Sequence, residues 1–135
     1  MIVDSSALLA ILYREPDSPE FEQAIAMTPK CRMSVANALE ASIVLEGRGG
    51  VAAGDELDAF LEITGINLAP VTAEQLVEAR RAWRRFGKGN HPAGLNFGDC
   101  FAYALAETTG EPLLFKGDDF ARTDIASALA GDERP

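Results

Sequence analysis

The sequence predicts an α/β domain built on a mainly parallel sheet. Three observations carry that expectation. Short β-like runs alternate with helix-patterned stretches along the chain, the order that βαβ units impose. The 135 residues are 47% apolar and 24% charged, the balance of a chain that folds rather than one that stays disordered. No repeat, low-complexity segment or linker interrupts the pattern. A single domain over residues 1–135 is therefore expected, with one real core.

The elements follow from local pattern. Met1 to Asp4 reads as a first strand, and Ser5 to Tyr13 as a helix with Ala7, Leu8, Ile11 and Leu12 on a common side. Pro16 and Pro19 open a second helix that runs to about Met27. A short strand at Arg32 to Ser34 leads into an apolar helix from Ala36 to Glu46, which Gly47, Gly49 and Gly50 should stop. A helix over 53–64 and a strand from Ile66 to Val71 come next. The helix that starts near Thr72 carries Leu76, Val77, Trp83 and Phe86, with Gly87 as its terminating glycine. After the loop KGNHPAGL, Asn96 is placed to cap a helix within LNFGDCFAYALA. Pro112 to Lys116 reads as a short strand, and the turn Gly117-Asp118-Asp119 enters a last helix.

Composition narrows the function classes. No apolar run reaches the roughly 18 to 20 residues of a membrane span, and MIVDSSALLA lacks the basic start of a secretory signal. Cys31 and Cys100 match no metal or redox spacing and read as buried thiols, so a cytoplasmic location is expected. A net charge of −9 weighs against a nucleic-acid partner, yet five of the twelve basic residues crowd together as Arg80, Arg81, Arg84, Arg85 and Lys88. That cluster, with Arg84 and Arg85 at its centre, is the candidate contact for phosphate backbone; as a plain helix end it would complement the dipole. A lone histidine, His91, excludes His-cluster metal sites.

Three acids stand where solvent does not explain them. Asp4 ends an apolar strand, Glu40 lies on a helix apolar nearly all round, and Asp99 heads the helix FGDCFAYALA. A carboxylate taken out of water without a partner costs several kcal/mol, and clustering such groups raises their pKa values further. A hard divalent cation resolves both problems by turning repulsion into coordination. In an open parallel sheet, ligands sit beyond the carboxyl ends of the strands, where Asp4, Asp118 and Asp119 fall. Each acid also has an ordinary reading. Asp4 can cap a helix, Asp99 can complete a capping box with Asn96, Glu40 can face solvent, and Asp118 and Asp119 can be turn residues.

The ordered segments MIVDSSALLAIL, SVANALEASIVLE, KGNHPAGLNFGDCFAYALA and EPLLFKGDDFARTD resemble the PIN-domain ribonucleases, in particular the VapC toxins of bacterial toxin–antitoxin pairs. The resemblance covers nearly the whole chain. It implies a Rossmann-like three-layer α/β/α sandwich whose acidic pocket binds Mg²⁺ or Mn²⁺ and cleaves RNA, transfer or ribosomal, so that translation stops. It assigns Asp4, Glu40 and Asp99 to the catalytic set and Ser6 to a hydrogen-bond partner at the site. Many PIN domains carry an acid where this chain has Gly117, so the fourth acid falls to Asp119, with Asp118 as substitute. Asp4, Asp99 and Asp119 would hold metal, and Glu40 would bind metal or orient the attacking water. The resemblance also implies a homodimer and a VapB antitoxin whose tail places a basic side chain in the pocket, in a larger assembly. An apolar excess in the N-terminal helices fits either core or interface.

Other classes remain open at this level. Rossmann-like phosphatases need a second Asp two residues after the first, where Ser6 stands. A receiver-type signalling module needs an acid after its third strand, where Val71-Thr72 offers none. A binding protein with purely structural acids would be indifferent to metal.

Overall fold

Strands of two or three residues cannot hold a sheet together by hydrogen bonds alone, so this fold rests on side chains packed against both faces of the sheet. The computed structural model describes residues 1–129. Four strands, β1 (Ile2–Val3), β2 (Arg32–Ser34), β3 (Asn67–Ala69) and β4 (Leu113–Leu114), run parallel in the order β3-β2-β1-β4. Ile2 stands opposite Leu113, and Val3 opposite Leu114.

Successive side chains of a strand point to opposite faces. Val3, Met33 and Leu114 therefore enter one core with α1 (Ser5–Leu12), α2 (Ser18–Ala26), α3 (Val35–Gly49) and α4 (Val51–Thr64). Ile2, Leu113 and Ala69 enter the other with α5 (Ala73–Phe86) and α6 (Phe97–Thr109). The result is the three-layer α/β/α sandwich that the sequence resemblance implied. The apolar excess of the N-terminal helices is mostly core.

Asn96 and Asp4 accept backbone N–H groups at the first turns of α6 and α1, as the sequence suggested, and Ser34 and Thr72 do the same for α3 and α5. Because α1 and α3 begin directly where β1 and β2 end, the same residues terminate a strand and open a helix.

Several expectations are corrected. Helix α3 runs through Gly47 and Gly49 and breaks only at Gly50 (φ +72°); packing against α4 offsets the weak helix propensity of glycine, about 1 kcal/mol each. The third strand is shorter than Ile66 to Val71. Gly87 ends α5 in an extended conformation (φ −68°, ψ 156°), because the chain there bridges to Leu95 and closes the following loop. The expected last helix is a single 3-10 turn, Phe120–Arg122. Beyond it the chain returns beside β4, where Leu113 N–H donates to Ala126 O and Ala128 N–H to Leu113 O (both 2.9 Å), a path no helix can follow.

Apolar patterning misjudged two faces. On α5 the core-facing residues are Gln75, Ala82 and Phe86, while Leu76, Val77 and Trp83 face outward. On α3, Leu39 and Ile43 are exposed, so its all-round apolarity does not mean all-round burial. Both cysteines are free and buried. No helix among the described residues is long and apolar enough to cross a membrane.

Phe120 is the anchor of the segment after β4, packed against Phe115 at 5.3 Å between ring centroids and buried in the α5–α6 core. Phe120→Ala is expected to cost about 3–5 kcal/mol in urea unfolding, the cost of emptying a buried aromatic site. A loss under about 1 kcal/mol, far below that range, would mean the segment is not anchored there.

Candidate active site

Asp4 is held by the junction it creates. Its N–H donates to Leu114 O at 2.9 Å, joining the end of β1 to the end of β4. Its Oδ2 accepts the Ser6 N–H at 3.0 Å and the Ser6 Oγ–H at 2.6 Å. Ser6 Oγ in turn accepts the Lys116 N–H at 2.9 Å, so the hydroxyl ties the two strand ends a second time. Asp4 is only 2% exposed, and its Oδ1 is buried with no donor among the described residues. Burial pushes this carboxyl up to about 6 against the lowering effect of the Ser6 hydrogen bonds, and the charge of Glu40 raises it further.

Asp99 and Asn96 form a reciprocal capping box. Asp99 N–H donates to Asn96 Oδ1 at 2.9 Å, and Asn96 N–H donates to Asp99 Oδ2 at 3.0 Å. Desolvation, opposed by that Asn96 bond, together with the like charges of Asp4, Asp119 and Glu40, pushes Asp99 up to about 7. The capping readings of Asp4 and Asp99 are thus structurally true. Each cap occupies Oδ2 and leaves Oδ1 without a donor among the described residues.

Glu40 comes from the second turn of α3, where its Oε1 accepts Ser5 Oγ–H at 2.6 Å and Asn37 Nδ2–H at 3.2 Å. Asp119 enters from the turn after β4. There Gly117 adopts φ +101°, a conformation that strains any residue with a side chain. An acid at 117 would be strained in that conformation.

Asp4, Glu40, Asp99 and Asp119 line one cavity of about 260 Å³, with Ser6 and Lys116 at its edge. Asp118 is exposed and does not line it. The strand order places the cavity at the topological switch between β1 and β4, where an open parallel sheet leaves a crevice. Among the described residues, no three Asp, Glu, His or Cys side chains stand together as a ready-made ion cage. The donors nevertheless fit a hard divalent cation: all are oxygens, and the orphaned Asp4 Oδ1 is buried at a cost that a cation would remove.

Arg84 and Arg85 do not line the cavity. Arg85 pairs with Asp124 at 3.2 Å and lies over the Phe86 ring at 4.7 Å, while Tyr103 donates to the other Asp124 oxygen at 2.5 Å. His91 Nδ1 accepts the Ala93 N–H at 3.0 Å, a loop-shaping contact. The sequence reading missed Ser5, Asn37, Gly98 and Lys116. Among the described residues Lys116 is the one basic residue lining the cavity, and its Nζ pairs with Glu15 at 2.6 Å and Asp17 at 3.1 Å. The only sequence signal for these residues was adjacency to the acids, as Ser5 follows Asp4 and Lys116 precedes the Gly-Asp-Asp turn.

A family profile described as PIN domain matches residues 1–126. The chain belongs to the PIN-domain family. Among its relatives, Ribonuclease VapC of Mycolicibacterium smegmatis is 52% identical over 127 residues, 94% of this chain and 98% of that protein. Ribonuclease VapC30 of Mycobacterium tuberculosis is 50% identical over 94% of this chain and 97% of its own length. These identities place the PIN domain described here in the VapC branch. The crystal structure of Mycobacterium tuberculosis VapC20, described as a sarcin-ricin loop cleaving toxin, superposes with a TM-score of 0.75 at 20% identity, over 93% of this chain and 95% of that one. A toxin–antitoxin complex from Klebsiella pneumoniae contains a chain with the same fold, at a TM-score of 0.68 and 17% identity over 91% of this chain and 92% of that one.

The raised carboxyls have a measurable consequence for the metal-free PIN domain. An unfolded Asp titrates near 3.8, whereas Asp4 and Asp99 titrate near 6 and 7 in the fold. Between those limits the native state holds more protons than the unfolded chain, so their contribution to stability falls as pH rises and levels off above about 7. In EDTA, Asp99→Asn should therefore gain Tm relative to the wild type, and the gap should widen from pH 5 to pH 8. Mn²⁺ should raise the wild-type Tm more at pH 8 than at pH 5. Equal responses at both pH values would show that Asp99 is not electrostatically strained.

Proposed function

We propose that this PIN domain is a divalent-metal-dependent endoribonuclease of the VapC type, hydrolysing RNA phosphodiester bonds. The observation that carries the reading is the convergence of Asp4, Glu40, Asp99 and Asp119 on one cavity in which Asp4 Oδ1 is buried without a donor. Asp4, Asp99 and Asp119 would hold Mg²⁺ or Mn²⁺. The cation would supply Lewis acidity, lowering the pKa of the attacking water and offsetting charge on the phosphorane oxygens. With Oε1 engaged by Ser5 and Asn37, Glu40 has Oε2 left to take the proton of that water or to join the cation. Ser6 holds Asp4 in place. Products would carry a 5′-phosphate and a 3′-hydroxyl, and no step requires a histidine.

Lys116 is the cation positioned to meet the scissile phosphate, after exchanging Glu15 and Asp17 for it. Arg84 and Arg85 would meet more distant phosphates of the strand. The relatives named as VapC ribonucleases, and the sarcin-ricin loop named for VapC20, support a structured RNA of the translation machinery as target. Such RNA is recognised by shape and unpaired bases rather than by a duplex sequence. The same kinship supports a VapB antitoxin as inhibitor. A second copy of the chain is the proposed partner of the exposed apolar side chains of Leu39, Ile43 and Phe97. The phosphatase alternative is not favoured: the position two after Asp4 is Ser6, engaged as a donor to Asp4.

In purified enzyme with saturating Mg²⁺, Asp99→Asn should cleave RNA at least about 100-fold more slowly, the scale of losing a group that acts in the transition state. Wild-type speed from this variant would refute the assignment. New 5′ ends mapped in cells expressing the chain should vanish with Asp4→Ala, and the positions that vanish identify the RNA. Lys116→Ala should raise KM by about tenfold, as loss of a phosphate contact does, with kcat little changed. Phe97→Glu should shift sedimentation from dimer to monomer; an unchanged mass would place the self-contact elsewhere.

A further inference from the structure

Asn37 is the most deeply buried polar side chain among the described residues, at 0% exposure, and it lies between two alanines on α3. Both hydrogens of its amide are spent on the site. One goes to Glu40 Oε1 at 3.2 Å, the other to Gly98 O at 2.9 Å, across the α3–α6 contact. Its own Oδ1 finds no donor. A side chain kept in a core with one orphaned oxygen costs stability that an apolar residue would not. What it supplies in exchange is its two donors. The carbonyl it holds belongs to the peptide that leads into Asp99, so a single amide fixes the Glu40 carboxylate relative to the Asp99 backbone.

Gly98 completes the arrangement from the other side. A Cβ at this position would overlap Glu40 Oε2 and lie 2.8 Å from Oε1. The carboxylate therefore rests against the bare Cα of Gly98, clamped between that surface and the donors of Ser5 and Asn37. Nothing else about Gly98 calls for glycine, since it sits in the first turn of a regular helix.

The geometry points to Asn37 and Gly98 as the positioning residues that aim Glu40 into the acidic cavity and set its distance from Asp99. Neither touches substrate or cation; both act through the Glu40 carboxylate. The inference uses the ribonuclease reading for its kinetic test and only cation binding for the other.

The test is a pair of mutant cycles read by RNA cleavage and by Mn²⁺ titration followed with electron paramagnetic resonance. Asn37→Ala should lower kcat by roughly 10- to 100-fold with KM changed less than about threefold, and weaken Mn²⁺ binding about tenfold, the scale of lost outer-shell support. In a Glu40→Gln background the same substitution should change either quantity by less than about threefold, because the residue through which it acts is already disabled. Gly98→Ala should reproduce the losses, and in a Glu40→Ala background, where the clash is gone, it should raise Tm, as alanine does in a helix. Equal losses from Asn37→Ala in both backgrounds, or no loss in the native background, would overturn the inference. Should Asn37→Ala not fold, the Gly98→Ala cycle decides alone by the same criterion. A wild type that binds Mn²⁺ but cleaves no RNA would refute the proposed function, while the Mn²⁺ arm would still decide the roles of Asn37 and Gly98.

Discussion

Asp4 sits between two strand ends with one carboxylate oxygen bonded and the other buried bare, and the rest of the structure depends on that arrangement. Its N–H closes the pairing of β1 with β4, its Oδ2 starts α1 through Ser6, and Ser6 Oγ reaches back to the chain after β4. Strands this short have little ladder to define their alignment. The junction around Asp4 supplies alignment where the side chains supply adhesion. The bare Oδ1 is then a local defect that the fold carries at the mouth of its crevice.

The same division recurs at the other two buried or half-buried acids. A carboxylate has two oxygens, and here the scaffold takes one from each of Asp4, Asp99 and Glu40 through Ser6, Asn96, and the pair Ser5 and Asn37. The captured oxygen removes rotational freedom from the side chain, and the uncaptured one keeps its lone pairs for a ligand. Preorganisation of this kind costs stability: desolvation and mutual repulsion hold Asp4 and Asp99 near 6 and 7. Capping and the proposed ligand binding are therefore complementary uses of the same residue.

Charge and apolarity are distributed to match. The protein is acidic overall, at −9, but its cavity has Lys116 at the rim, balanced by Glu15 and Asp17. The basic residues of α5 that drew attention in the sequence are instead partly committed to local pairs, Arg81 with Glu78 and Arg85 with Asp124. Apolar surface is concentrated outside the site, with Phe97 the most exposed of the aromatic rings at 81%.

The sequence alone determined the order of the strands and of α1 to α6, the caps at Asp4 and Asn96, and the oddity of Asp4, Glu40 and Asp99. These are local properties: a cap, a period of two or a period of 3.6 needs only near neighbours in the chain. Its resemblance to PIN domains supplied the layer arrangement and the choice of Asp119. Tertiary structure decided the rest. Periodicity tells which residues share a face but not what covers that face, so Leu76, Val77 and Trp83, the apolar residues that mark α5 in the sequence, lie outside the core. Helix-length patterning could not foresee that the chain after Phe120 turns back to pair with β4. Nor could it find Asn37 and Gly98, which lie 61 positions apart and meet only where α3 crosses α6. Contacts made across the sequence are what turn a set of acids into a cavity, because only packing fixes the distance between groups that the chain itself leaves free.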